Sequence, residues 1–414
     1  MSTASKPQAN LFKGAEKGKV EVALKALDAG AELEAGNEHG SRALHLACRE
    51  GRLELVQLLL TRGADSRAIN RRGCTPLHEA LLARRNAPNA DLDARVRIVE
   101  LLLARGVSAD AEDSLGRRPL WLASSIRGDC GKTVVAMLLE RASDLTGTGR
   151  DGYTLLHMGC IFGHTELVRR CLAAGLPVNA KEQSGGTALF HACYFGDVEA
   201  AMLLFEAGAD ACVVSNEGWN PLHRLCGSDE ARNWAQTARF GGPKKPRSAA
   251  DALVELLLSR GARLDERDAK GWTPVELAAQ RGSVEVVAAL LAAGAEPGRV
   301  LHLAVETTSS DKMGRLVDAV LAHGVDVESH GEDGLTPLAR ALSSASVTTQ
   351  RAKAAIRLLE AGASSDTPIQ ETPLRVLFTD PARVAAAFGH DAKFVQPLVS
   401  FASKQVANGT WTQR

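Results

Sequence analysis

Aromatic residues make up only 4% of the 414-residue chain. The interior is therefore not built on stacked rings, and the plentiful alanines fit small residues between closely packed helices. Net charge is also missing: 49 Lys plus Arg face 49 Asp plus Glu. A protein held on nucleic acid by phosphate neutralisation is usually basic, so this balance argues against such a partner. No uninterrupted apolar run approaches about 18 residues, so no membrane span is expected. The N-terminal stretch from Met1 to Lys19 has no apolar core of a secretory signal, which points to a cytoplasmic protein. The sequon Asn408-Gly409-Thr410 would then go unused.

Also missing are a GxSxG elbow, a GxxxxGK[ST] loop, a GxGxxG after a strand, an HExxH and a CxxC. Nothing therefore recommends an enzyme, a cofactor or a small-molecule substrate. The eight cysteines suggest metal at first. Yet Cys48, Cys160, Cys193 and Cys226 share one place, the second small residue after a Leu-His pair or its equivalent. Equivalent places on packed helices lie roughly 8–10 Å apart. Thiolates about 2.3 Å from one zinc would lie roughly 4 Å apart. Small buried thiols fit better than a metal site.

What the chain does have is a period. Turn glycines close apolar runs at Gly30 and Gly63, at Gly175 and Gly208, and at Gly261 and Gly294, each pair 33 residues apart. A fixed period of this size marks a stacked repeat array, in which each unit buries its apolar face only against its neighbours. Residues 40–70 hold the clearest unit. A short apolar segment, Ala43 to Cys48, breaks at Glu50-Gly51, and an amphipathic stretch from Leu53 to Leu60 ends at Gly63. Leu55, Val56, Leu58, Leu59 and Leu60 recur at helical spacing. Gly63 supplies the left-handed residue after the helix. Ala64 to Gly73 makes the reversal, so each unit is helix, turn, helix, extended turn.

The opening recurs as Gly73-Cys74-Thr75-Pro76-Leu77-His78, Gly152-Tyr153-Thr154-Leu155-Leu156-His157 and Gly218-Trp219-Asn220-Pro221-Leu222-His223. It recurs again as Gly271-Trp272-Thr273-Pro274-Val275-Glu276 and Gly334-Leu335-Thr336-Pro337-Leu338-Ala339. Thr caps the first helix and Pro occupies its first turn, where a missing N–H does no harm. With its TPLH segments, its GAD-type hairpins and its period, the chain closely resembles the ankyrin repeat family. That implies an all-α solenoid of stacked helix-turn-helix units that binds another protein. About eleven units are expected, starting near residues 8, 40, 73, 116, 152, 185, 218, 271, 299, 334 and 371. Residues 1–7 form a flexible N-terminus and 8–370 the array. Residues 371–414 form a degenerate capping repeat and tail. In the family, the histidine of the opening ties adjacent units together through loop backbone. His45, His78, His157, His223 and His302 take that role here, with Phe190 in the place and His191 displaced by one.

Departures from the pattern give the chain its individuality. The interval from Gly63 to Gly106 grows to 43 through residues 84–89, and that from Gly208 to Gly261 grows to 53. The second carries about 20 extra residues near 227–250, with Trp234, Arg239, Phe240, Lys244 and Lys245. Trp and Arg are common interface anchors, which points to a docking loop for an acidic partner. The alternative is a tolerated surface insertion with Trp234 packed back, because long loops cost little. Pro243-Lys244-Lys245-Pro246-Arg247 is a weak nuclear-import signal. The residue before the capping Thr lies near the hairpin tip, where family members bind partners on a concave face. Tyr153, Trp219 and Trp272 occupy it in units five, seven and eight, and Arg117 adds charge in unit four. Exposed aromatics there favour a binding surface, and local packing is the alternative. The function expected is a non-catalytic protein-binding module, or else a scaffold or adaptor subunit of a larger intracellular assembly.

Overall fold

The computed structural model describes residues 5–82, 89–226, 249–306, 310–343, 348–369, 372–378, 380–388, 393, 395–408 and 410. They divide into two compact units. The first runs to Ala192 and takes in Glu199–Ala209; the second holds Cys193–Val198 and the described residues from Asp210 onward.

In the first unit, paired helices follow one another: α1 (Lys6–Lys17) and α2 (Val20–Asp28), α3 (Ala43–Arg49) and α4 (Leu53–Thr61), α5 (Pro76–Leu81) and α6 (Asn89–Ala104). Next come α7 (Pro119–Ala123) and α8 (Gly128–Leu139), then α9 (Leu155–Phe162) and α10 (Thr165–Ala173). The pair α11 (Ala188–Phe195) and α12 (Val198–Glu206) crosses the division between the units. The second unit continues with α13 (Pro221–Cys226), α14 (Ala249–Ser259), α15 (Pro274–Gln280), α16 (Val284–Ala292), α17 (Val300–Glu306), α18 (Ser310–Leu321), α19 (Pro337–Leu342) and α20 (Thr349–Glu360). Past Thr367 the pattern changes to a two-stranded bridge, β1 (Pro368–Ile369) against β2 (Thr372–Pro373), and three helices, α21 (Leu374–Leu377), α22 (Pro381–Phe388) and α23 (Gln396–Ala407).

Four of the first helices start on a capping threonine. Thr75 and Thr154 accept the N–H of His78 and His157, Thr273 that of Glu276 and Thr336 that of Ala339. Each second helix then buries one stripe: in α4, Leu55, Val56, Leu59 and Leu60 are buried while Leu58 is half-exposed. Leu59, Ile98, Leu102, Leu138 and Leu167 are fully enclosed in the first unit, and Leu222, Leu257, Leu290, Leu316 and Leu358 in the second. Burying such a side chain stabilises by roughly 2 kcal/mol.

Three of the hairpins between pairs are built on one side-chain acceptor each. Oδ1 of Asn70 takes the N–H groups of Arg72 and Cys74, Oδ1 of Asp113 those of Leu115 and Arg117, and Oδ1 of Asp268 those of Lys270 and Trp272. This is why Asn and Asp recur at that place. Successive tips also join through their backbones: Arg71 N–H donates to His39 O at 3.0 Å, Ser114 N–H to Arg72 O at 2.8 Å, and in the second unit Ala269 N–H to Glu217 O at 3.1 Å.

Candidate functional site

Of the residues singled out in the sequence, Arg117, Tyr153, Trp219 and Trp272 lie at the hairpin tips. The register histidine holds this surface in shape. Its Nδ1 accepts a backbone N–H at its own helix start, from Arg42 for His45, Thr75 for His78 and Thr154 for His157. That leaves the proton on Nε2. It is donated to a carbonyl of the next hairpin: Cys74 for His45 and Arg117 for His78, both at 3.1 Å, and Gly186 for His157 at 3.4 Å. In the second unit His223 donates to Trp272 O at 2.9 Å and His302 to Leu335 O at 3.0 Å. Burial pulls these imidazoles below their ordinary range, His45 to about 4.

Within the second unit two rings are covered by guanidinium groups. The Trp219 Nε1–H donates to Asp268 Oδ2 at 3.0 Å, fixing the indole. Arg281 lies 5.5 Å and Arg224 5.9 Å from its ring centre, and Arg224 also sits 4.2 Å over Tyr194. The Trp272 ring lies 4.2 Å beneath Arg299, whose charge is shared with Glu276 at 3.5 Å and Glu332 at 3.0 Å. Glu276 is buried in the place the histidine holds elsewhere, where its Oε2 accepts the Thr273 N–H at 3.2 Å. The sequence leaves two readings for the tip aromatics, an exposed binding surface or local packing. Trp219 and Trp272 are half-buried, and guanidinium faces cover part of each indole. In the first unit Tyr153, also half-buried, meets His157 and His191 in a triangle of rings with centres 5.6–5.8 Å apart. The displaced His191 thus completes an aromatic cluster.

Arg117 is committed within its own hairpin. Its Nε–H donates to Asp113 Oδ2 at 2.8 Å and a terminal nitrogen lies 2.7 Å from the same oxygen. Burial alone would raise the Asp113 carboxyl, but the hydrogen bonds from Arg117 hold it below its usual value. Trp234, Arg239, Phe240, Lys244 and Lys245 lie outside the described residues. Sequence reasoning missed four exposed apolar side chains: Ile69 at 65%, Leu115 at 60%, Met202 at 49% and Val214 at 37% exposure. Ile69 and Val214 each directly precede the residue that closes a hairpin, so their shared register was the available signal.

Cys48, Cys160, Cys193 and Cys226 are buried free thiols. Burial pushes Cys171 up to about 12 and Cys74 to about 11, which leaves them poor nucleophiles. Among the described residues no cluster of His, Cys, Asp and Glu could hold a metal ion, and no helix is long and apolar enough to cross a membrane.

Comparisons with known proteins agree with this architecture. The family model "Ankyrin repeats (3 copies)" matches residues 11–90, "Ankyrin repeats (many copies)" matches 156–204, and "Ankyrin repeat" matches 72–114 and 270–300. The tyrosine-protein kinase HTK16 of Hydra vulgaris is 31% identical over 143 residues, 33% of this chain and 16% of that protein. The human SH3 and multiple ankyrin repeat domains protein 2 is 30% identical over 185 residues, 41% of this chain and 10% of that protein. The chain thus spans a minor part of the length of these relatives, including the one named as an enzyme. The crystal structure of the human ASB11 ankyrin repeat domain superposes with a TM-score of 0.42 at 20% identity, covering 61% of this chain and 98% of that one. Repeats of this family are generally protein–protein interaction modules, and the fold is typically non-catalytic. The matched segments and the helix-pair register together settle one matter: this chain is an ankyrin repeat protein.

Proposed function

We propose that the chain is a non-catalytic cytoplasmic module that binds a partner protein through its hairpin tips and first-helix starts. Trp219 and Trp272 act as the anchors. The observation that carries this reading is the pair of indole–guanidinium stacks in the second unit, Trp219 with Arg281 and Arg224, and Trp272 with Arg299. Trp and Arg held in fixed geometry lose little freedom on binding, which is what makes a few residues dominate an interface. Tyr153 offers a third ring in the first unit. The insertion near 227–250 adds Trp234, Arg239, Phe240, Lys244 and Lys245 as a second contact, and its basic residues suit an acidic partner. Arg117 contributes chiefly by stiffening its hairpin through Asp113.

The test is quantitative affinity capture with the intact chain, a Trp219→Ala/Trp272→Ala variant and an Arg281→Ala/Arg299→Ala variant. Circular dichroism establishes that each is folded. Truncating an anchor costs about 2 kcal/mol or more, so one set of captured proteins should drop by at least about tenfold in both variants. Unchanged capture by folded variants would remove the tip surface from consideration.

A further inference from the structure

The N-terminal helix pair holds a cleft of about 540 Å³ that the function above does not use. Its rim carries Lys6, Lys13 and Lys17 from α1, Lys19 from the turn, and Lys25 from α2. Lys6, Lys13 and Lys17 share one helix face with Asn10, because steps of three and four residues return to the same side. The opposite side of α1 is committed inward through Gln8, Leu11, Gly14 and Ala15. Pro7, Val22 and Ala26 line the cleft between the charges.

All five lysines are exposed, and among the described residues none has a carboxylate within ion-pair distance. This sets them apart from many of the chain's arginines. Arg42, Arg49, Arg118, Arg169, Arg315, Arg340 and Arg357 all meet carboxylates. Glu16, on the same helix, lies 3.8 Å from Arg49, and Glu21 and Asp28 do not line the cleft. Five of the chain's 14 lysines stand here, and the first arginine is Arg42. Like charges gathered on a concave wall focus a positive potential and attract a multivalent anion. The choice of lysine narrows the ligand. Planar carboxylates are best matched by the arginine fork, whereas lysine meets a phosphate oxygen as a point charge from many directions. The volume falls within the range of small-ligand sites.

We propose that this cleft binds a compact, soluble, multiply phosphorylated ligand, with its phosphates held by Lys6, Lys13, Lys17, Lys19 and Lys25. The site is distinct from the partner surface and does not depend on it.

The probe is inorganic tripolyphosphate, titrated calorimetrically into the full chain. Two variants accompany it: Lys13→Gln/Lys17→Gln/Lys25→Gln in the cleft, and Lys270→Gln/Lys312→Gln/Lys353→Gln with the same charge loss elsewhere. Removing three phosphate contacts should weaken binding about tenfold or more, and the control should change it less than about twofold. Thermal melting should be unchanged in both, since every replaced side chain except that of Lys312 is exposed and Lys312 is half-exposed. Citrate should bind more weakly than tripolyphosphate. Three results would overturn the proposal: no saturable binding below about 1 mM, equal loss in both variants, or equal affinity for citrate. Sedimentation with phosphatidylserine vesicles separates the lipid source. Uptake that tripolyphosphate does not displace would show a membrane surface instead and would also overturn it.

Discussion

At the scale of single residues, the register histidines make stability depend on pH in a definite direction. An unfolded chain holds its imidazoles near their ordinary value of about 6.5, whereas burial takes His45 to about 4 in the folded protein. Between these values the unfolded state binds the proton and the folded state does not. Stability is therefore full above about pH 6.5 and falls as the pH drops toward 4. His45 alone accounts for roughly 3 kcal/mol across that window, and His78, His157, His223 and His302, all lowered, act in the same sense. Urea midpoints should decline steeply between pH 7 and 5. A flat profile would mean the imidazoles are not held neutral. His78→Ala should cost about 2 kcal/mol at pH 7 by leaving the Thr75 N–H and the Arg117 carbonyl unmet, and its acid decline should be shallower than that of the parent. The register of these histidines was plain in the sequence because it follows the repeat. The arginine cover on Trp219 was not: Arg281 lies 62 positions further on, and only the packed helices bring the two together.

At the scale of the hairpin, backbone conformation and neighbour contact separate cleanly. Gly30 and Gly73 both sit at positive φ, 89° and 68°. A Cβ on Gly30 would meet nothing within 4 Å, whereas one on Gly73 would come 2.8 Å from the Ser114 backbone nitrogen, next to the bond that joins the two tips. Gly30→Ala should therefore cost about 1 kcal/mol of left-handed strain, and Gly73→Ala distinctly more. Chemical denaturation of both variants compares them directly, and equal losses would show that the tips part without penalty. Helix starts, turn glycines and the helix-pair order were legible because each follows a local rule of capping, left-handed turn or apolar spacing. The ring environments were not, since which guanidinium covers which indole depends on the stacking of repeats. The same limit hid Ile69, Leu115 and Val214, whose exposure follows from tip geometry rather than from polarity.

At the scale of the whole molecule, a net charge of zero conceals where the charge lies. The balance argues against a partner that covers the chain with phosphates, but it averages away the lysines gathered around the N-terminal cleft. Averaging fails for stability too, because each helix pair packs only on its neighbours. In the first unit α6 touches α4, α5 and α8, and its Leu102 is fully enclosed. Leu102→Ala removes buried methyl groups and leaves a cavity, at a cost of about 3 kcal/mol. That loss should appear first where the lost contacts were. Amide protection should fall in α4, α5, α6 and α8, while α17 to α20 of the second unit keep theirs. Hydrogen exchange followed by mass spectrometry resolves the two groups peptide by peptide. A uniform fall along the chain would mean that the array opens as one cooperative body, with interfaces between repeats strong enough to carry a local defect from end to end.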